Sequence, residues 1–260
     1  MAFSTLELED LKAAKHILEH PGLAARISDM VGVPVEKGFA MLPEKWHLTV
    51  NEAARKTIET ALKIALSTIK PDTPALSPAN RWHKFAVGAT GAAGGAFGLA
   101  ALAIELPVST AIMLRSIAAI ARGQGENLDS AEARLQCIQV LALGGLSKDD
   151  DAAETGYFAV RAAMAKAVSD AAVHLTRKGL ADKSAPVIVR FIARVAARFS
   201  IVVSEKAVAQ AVPVVGALGG ALINTLFIGH FQDIGRAHFT IRRLERCHGP
   251  ETVRRIYGEV

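Results

Sequence analysis

Apolar residues recur at three- and four-residue intervals along most of the chain, and no long segment alternates with the period of two that marks a half-buried strand. Leu8, Leu11, Ala14, Ile17 and Leu18 predict a first helix over 6–18 that closes near Pro21. A short helix and a loop holding Gly32, Pro34 and Gly38 fill 22–42. From Pro43 a stripe of Trp46, Val50, Ala54, Ile58, Leu62 and Ala65 predicts a long helix to about Ile69. Lys70-Pro-Asp-Thr-Pro then breaks the pattern. It sets a boundary between an N-terminal helical arm, 1–76, and a helical body, 77–260, within one continuous domain.

The body opens on the stretch that organises the chain. Ser77-Pro78 places a capping residue before a proline at the first helical position. Phe85 to Ile104 carries no charge, about the length that crosses a hydrocarbon core as a helix. Gly88, Gly91, Gly95 and Gly98 share one helical face, and each costs roughly 1 kcal/mol relative to alanine. Close helix–helix approach would offset that cost. Pro107 predicts a kink or break near 104–106, with a second helix over 107–122 stopped by Gly123-Gln-Gly125. Asp129 is positioned to cap a helix over 130–143 that Gly144-Gly145 ends, and Lys148-Asp-Asp-Asp151 leads into a helix over 154–178.

From Ser184 the pattern is helical to about Val203, with Arg190, Arg194 and Arg198 on one face. A second uncharged run, Ala207 to Gly229, is broken by Pro213 and contains Gly216-Ala-Leu-Gly-Gly220. The tail from His230 reads as an amphipathic basic helix, and Pro250 to Tyr257 as a last short one. The predicted fold is all-α: a multi-helix bundle around two Gly-rich, Pro-broken apolar hairpin segments. Residues 85–122 and 207–240 are its expected centre, with Gly88, Gly91, Gly95 and Gly98 packed on Gly216 and Gly220.

Composition agrees with this pattern. Aromatic residues make up only 5% of 260 positions, which suits closely packed helices. A net charge of +5 suits an anionic membrane surface or a polyanion, and equally plain solubility. No basic run is interleaved with aromatics, so a nucleic-acid face is not expected. Cys137 and Cys247 stand far apart, as in a reduced, cytosol-facing protein, and the N-terminus has no apolar signal region.

Few residues suggest chemistry. Glu105 stands between two apolar runs at the expected break, where a carboxylate must find a partner, a proton or water. Arg115, or one of Arg190, Arg194 and Arg198, would supply a cation for a structural ion pair; the alternative is a ligand or proton site. We expect Glu105 to be the most buried acid of the chain. His230, Asp233 and His238 form a second polar group on the tail helix, read as a surface hydrogen-bond cluster or as an incomplete metal site. No P-loop or dinucleotide fingerprint is present, and Ser109, Ser200 and Ser204 lie in no nucleophile-elbow context. No cofactor or metal is called for.

Several separated motifs carry a family resemblance. Ala89-Thr-Gly-Ala-Ala-Gly-Gly, Glu105-Leu-Pro-Val-Ser-Thr with Met113-Leu-Arg-Ser-Ile, and Ala142-Leu-Gly-Gly resemble the EcsC signature. Val212-Pro-Val-Val-Gly-Ala-Leu-Gly-Gly-Ala-Leu-Ile-Asn224, His230-Phe-Gln-Asp and Ala237-His-Phe resemble its C-terminal part, so the likeness covers about 40–248. The resemblance implies a bacterial, membrane-linked helical protein associated with an ABC transporter, and supplies no catalytic residues. Three functional readings follow. The first is a non-enzymatic accessory protein at the cytoplasmic face of a membrane, whose apolar runs are flanked by basic residues (Arg81, Lys84, Arg115; Arg236, Arg242, Arg243). The second is a soluble binder of a lipid chain or other apolar ligand. The third is a hydrolase using Glu105 or the His230/Asp233 pair.

Overall fold

The computed structural model describes residues 3–19, 22–31, 44–68, 98–145, 156–179, 185–211 and 220–260. Among them lie nine helices and no strand: α1 (Thr5–Glu19), α2 (Leu23–Val31), α3 (Glu44–Thr68), α4 (Gly98–Gly123), α5 (Ala131–Leu143), α6 (Gly156–Lys178), α7 (Pro186–Ala211), α8 (Gly220–His248) and α9 (Pro250–Glu259). The all-α expectation holds, and α4 and α8 pack directly on each other. The proposed contact between glycine faces rests on Gly88, Gly91, Gly95 and Gly216, which lie outside the described residues, as do the 70–74 linker and the Ser77-Pro78 cap.

At the middle of the bundle is α5, in which ten residues from Ala133 to Leu143 are buried. From Leu135 onward only Gln136 and Gln139 are polar and every residue is buried, so neighbours cover all sides of that part. α3, α4, α6, α7 and α8 all pack on it. Ser130 caps it, its Oγ accepting from the Ala133 N–H at 3.0 Å. That replaces the Asp129 expected from sequence. Asp129 is held one step earlier, its N–H donating to Asn127 Oδ1 at 2.9 Å.

Three boundaries differ from the sequence reading. Pro107 does not end a helix, because α4 continues through it. One backbone hydrogen bond is lost there, but Leu106, Ser109 and Thr110 are buried within 1% exposure and hold the turn by packing. Likewise α7 runs past Val203 to Ala211, since Val202, Val203, Ala207, Val208 and Ala209 are all buried and no breaker separates them. The apolar run and the basic tail also join, as the single 29-residue α8.

α4 does stop where Gly123-Gln-Gly125 predicts. The Gly125 N–H donates to the Arg122 carbonyl and the Glu126 N–H to that of Ala121, with Gly125 at φ 81°, the left-handed cap that glycine adopts without strain. The N-terminal helices share the main core, Leu11, Ala14, Leu18, Leu23 and Ile27 belonging to the same contiguous apolar cluster as α4 to α9. Lys15 Nζ donates to the Tyr257 carbonyl at 3.0 Å, and Phe3 stacks on His248 with centroids 4.3 Å apart.

Close packing is most exacting at Gly145. A Cβ there would lie 2.3 Å from the Arg198 carbonyl oxygen, which is backbone and cannot step aside. Gly145→Ala should therefore destabilise by about 1–3 kcal/mol through overpacking. Gly123→Ala, where a Cβ meets nothing within 4 Å, should be neutral or stabilising by up to about 1 kcal/mol. Urea denaturation of the two variants checks the contrast.

Candidate functional site

Glu105 lies within the first three turns of α4, Lys206 in the second-last turn of α7, and Asn224 in the second turn of α8. The fold brings these three helix ends together around the Lys206 ammonium, which has no exposure to water. Lys206 Nζ donates to Glu105 Oε1 at 2.8 Å and to Asn224 Oδ1 at 2.9 Å. The Phe227 ring covers it, 4.5 Å from its centroid. Burial pushes the Lys206 pKa down from its ordinary value, while the charge and hydrogen bond of Glu105 work against that shift.

Two further side chains complete the group. Ser109 Oγ lies 3.0 Å from the Glu105 carbonyl oxygen and 3.2 Å from Asn224 Oδ1, and Gln210 Nε2 reaches Glu105 Oε2 at 3.4 Å. Within this group, Asn224 Nδ2 and Thr110 Oγ1 find no hydrogen-bond partner among the described residues.

Glu105 thus has a buried cationic partner, as expected, but not one of those named from sequence. Arg115 sits ten residues along the same helix, about 15 Å by helical rise. Arg194 donates to the Ala163 carbonyl at 2.9 Å, and Arg190 is exposed. Arg198 donates to the carbonyls of Ala142 and Gly145 at 3.1 and 2.9 Å, a cation at the C-terminal end of α5. Lys206 escaped notice because a single lysine at the edge of an apolar run reads as a solvated flank. Nor is Glu105 the most buried acid. Its side chain is 28% exposed, against 5% for Glu126, which Arg242 and Arg246 bind, and 12% for Glu245, which Arg161 grips through two bonds of 2.8 and 2.9 Å.

The second group disperses, because each member bonds a different neighbour. His230 Nε2 pairs with the Gly144 carbonyl at 3.0 Å, Asp233 binds Arg26 at 2.8 Å and Arg236 at 2.5 Å, and His238 Nδ1 meets the Tyr157 hydroxyl at 2.9 Å. No cluster of three metal-binding side chains occurs among the described residues. Both histidines are buried and held neutral: burial lowers the His230 pKa to about 4 and that of His238 well below its ordinary value.

Two predictions follow from these contacts. Glu105→Ala should leave the Lys206 charge buried and unpaired and cost about 3–5 kcal/mol, whereas Lys206→Met should cost less, since it removes the buried charge and leaves a carboxylate that water can reach. Denaturant titrations of both variants compare the two. The histidines give an acid-sensitive term. Their folded pKa values lie below the unfolded 6.5, so the unfolded chain takes up protons first as pH falls. Stability should drop between pH 6.5 and 4, by about 3 kcal/mol at pH 4 for His230 alone. His230→Asn should flatten that part of the stability–pH curve.

Described residues of four stretches that carry the family resemblance meet in pairs. Glu105, Ser109 and Thr110 come from one motif and Asn224 ends another, while Gly144 of a third receives His230 of a fourth. No curated protein and no solved structure gives a significant match. The model of the EcsC protein family matches residues 6–244, from the first turn of α1 almost to the end of α8, and the chain belongs to that family.

Proposed function

We propose that the protein is a non-enzymatic helical accessory protein working at the cytoplasmic face of a membrane, with an ABC transporter as its candidate partner. One observation carries this reading. The uncharged sequence 85–97 leads into α4 at Gly98, and 212–219 joins α7 at Ala211 to α8 at Gly220. Through Lys206, Glu105 and Asn224 those three helix ends form one end of the bundle. Charge-free sequence is therefore attached twice at a single end of a protein of net charge +5. That combination suits an anionic bilayer surface, where apolar side chains enter the interface and basic ones face lipid headgroups.

No helix among the described residues is long and apolar enough to cross a membrane. His230, Asp233 and His238 are each occupied in bonds between helices, which favours the accessory reading over a hydrolase built on them.

Flotation with lipid vesicles tests the proposal. The full chain should float with vesicles containing phosphatidylglycerol and float less with phosphatidylcholine alone, and high salt should weaken the attachment. A protein that stays at the bottom of the gradient with both compositions would overturn the reading.

A further inference from the structure

The Lys206 cluster leaves one of its buried hydrogen-bond donors without a partner among the described residues. Lys206 offers three N–H groups, Asn224 and Gln210 two each, and Ser109 one. The Glu105 carboxylate receives bonds from Lys206 and Gln210, and Asn224 Oδ1 receives bonds from Lys206 and Ser109. A self-contained structural ion pair would saturate its buried groups. Here Asn224 Nδ2 has no partner among the described residues although Asn224 is 1% exposed. The amide cannot turn over to relieve this, because Lys206 needs its oxygen at 2.9 Å.

The pair is also lopsided. The cation has no exposure, but the carboxylate is 28% exposed. The ammonium cannot leave, whereas the carboxylate can move toward water at small cost. Beside Glu105, one turn along α4, Val108 is an apolar side chain left 54% exposed.

We propose that Lys206 and Asn224 form the inner wall of a site for the acidic headgroup of an amphiphile, a fatty-acid carboxylate or the phosphate of an anionic lipid, and that Glu105 occupies this site in the absence of the ligand. The incoming anion replaces Glu105 on Lys206 and takes up the free Asn224 Nδ2, while Val108 lies where the hydrocarbon chain leaves the headgroup. Glu105 swings out to water, so the exchange leaves no buried charge unpaired. The inference rests on the membrane reading only for the source of the ligand.

The test uses the full chain with octanoate, and with acetate at matched ionic strength, followed by thermal unfolding. Octanoate should raise Tm in a saturable way and acetate should not; equal effects would overturn the amphiphile assignment. Glu105→Gln removes the competing charge and keeps an oxygen for Lys206, so its half-saturating octanoate concentration should fall at least tenfold. Lys206→Met should abolish the response. Asn224→Asp is isosteric, replaces the free donor by an acceptor and adds a competing charge, and should weaken binding at least tenfold. An unchanged response in Lys206→Met or Asn224→Asp would overturn the site even if Glu105→Gln fails to fold.

The same variants in phosphatidylglycerol flotation separate the two proposals. Flotation that none of them alters overturns the headgroup site and keeps the membrane reading. Octanoate binding that needs Lys206, in a protein that floats with no vesicle, overturns the membrane reading and keeps a site for a free amphiphile.

Discussion

An ammonium group without access to water has to be met by oxygen atoms, and in this fold the oxygens come from two other helices. Lys206 on α7 is held by Glu105 of α4 and Asn224 of α8, so the relative height of three helices is set at once. Apolar packing alone tolerates sliding by a turn or a repacked rotamer. A buried charge does not, because any shift that breaks one of these bonds leaves it uncompensated. The pair need not add to net stability to have this effect. Its bonds to two helices are incompatible with a shifted register of the bundle end.

Farther along, α8 repeats the device with neutral groups and two guanidinium–carboxylate pairs. Gln232 donates to Ser116 on α4 at 3.1 Å, His230 pairs with the α5 terminus, His238 with Tyr157 of α6, Arg242 with Glu126, and Glu245 with Arg161. One helix thus touches the body through a series of individually matched polar contacts set among buried phenylalanines 227, 231 and 239. The two histidines serve as neutral hydrogen-bonding side chains, because among the described residues no carboxylate bonds either ring and burial disfavours the imidazolium. An acid-sensitive fold is the physical consequence of using histidine in this way.

The headgroup-site proposal depends on the unequal exposure of the Lys206 pair. A cation fully enclosed by protein and a carboxylate partly in water make a site whose anion is exchangeable and whose cation is not. That property belongs to neither residue by itself. It arises because α4 presents Glu105 toward the rim while α7 points Lys206 inward, at the end of the bundle where the uncharged sequences attach.

What the sequence by itself determined was the all-helical class and the family. Apolar spacing indicates helix in every described helical segment, because burial of a stripe with a 3.6-residue period depends only on local order along the chain, but it misplaces boundaries of α4, α7 and α8. The stops at Gly125 and Gly144 are equally local, and the motifs around 105–110, 142–145, 212–224 and 230–233 carry the family resemblance without any knowledge of their contacts. Glu105 was also legible as a carboxylate that needs a partner, since its apolar surroundings are in the sequence. The partner was not. Arg115 and the 190/194/198 face were nearer or more conspicuous than Lys206, and only the docking of α7 against α4 and α8 decided among them. The same holds at Pro107, where buried side chains 106, 109 and 110 carry the helix through a residue that locally opposes it. It holds again for His230, Asp233 and His238, which are close along one helix but face three different neighbours. Periodicity is written in one dimension; the choice of a polar partner depends on which helices adjoin in three, and that is decided by packing.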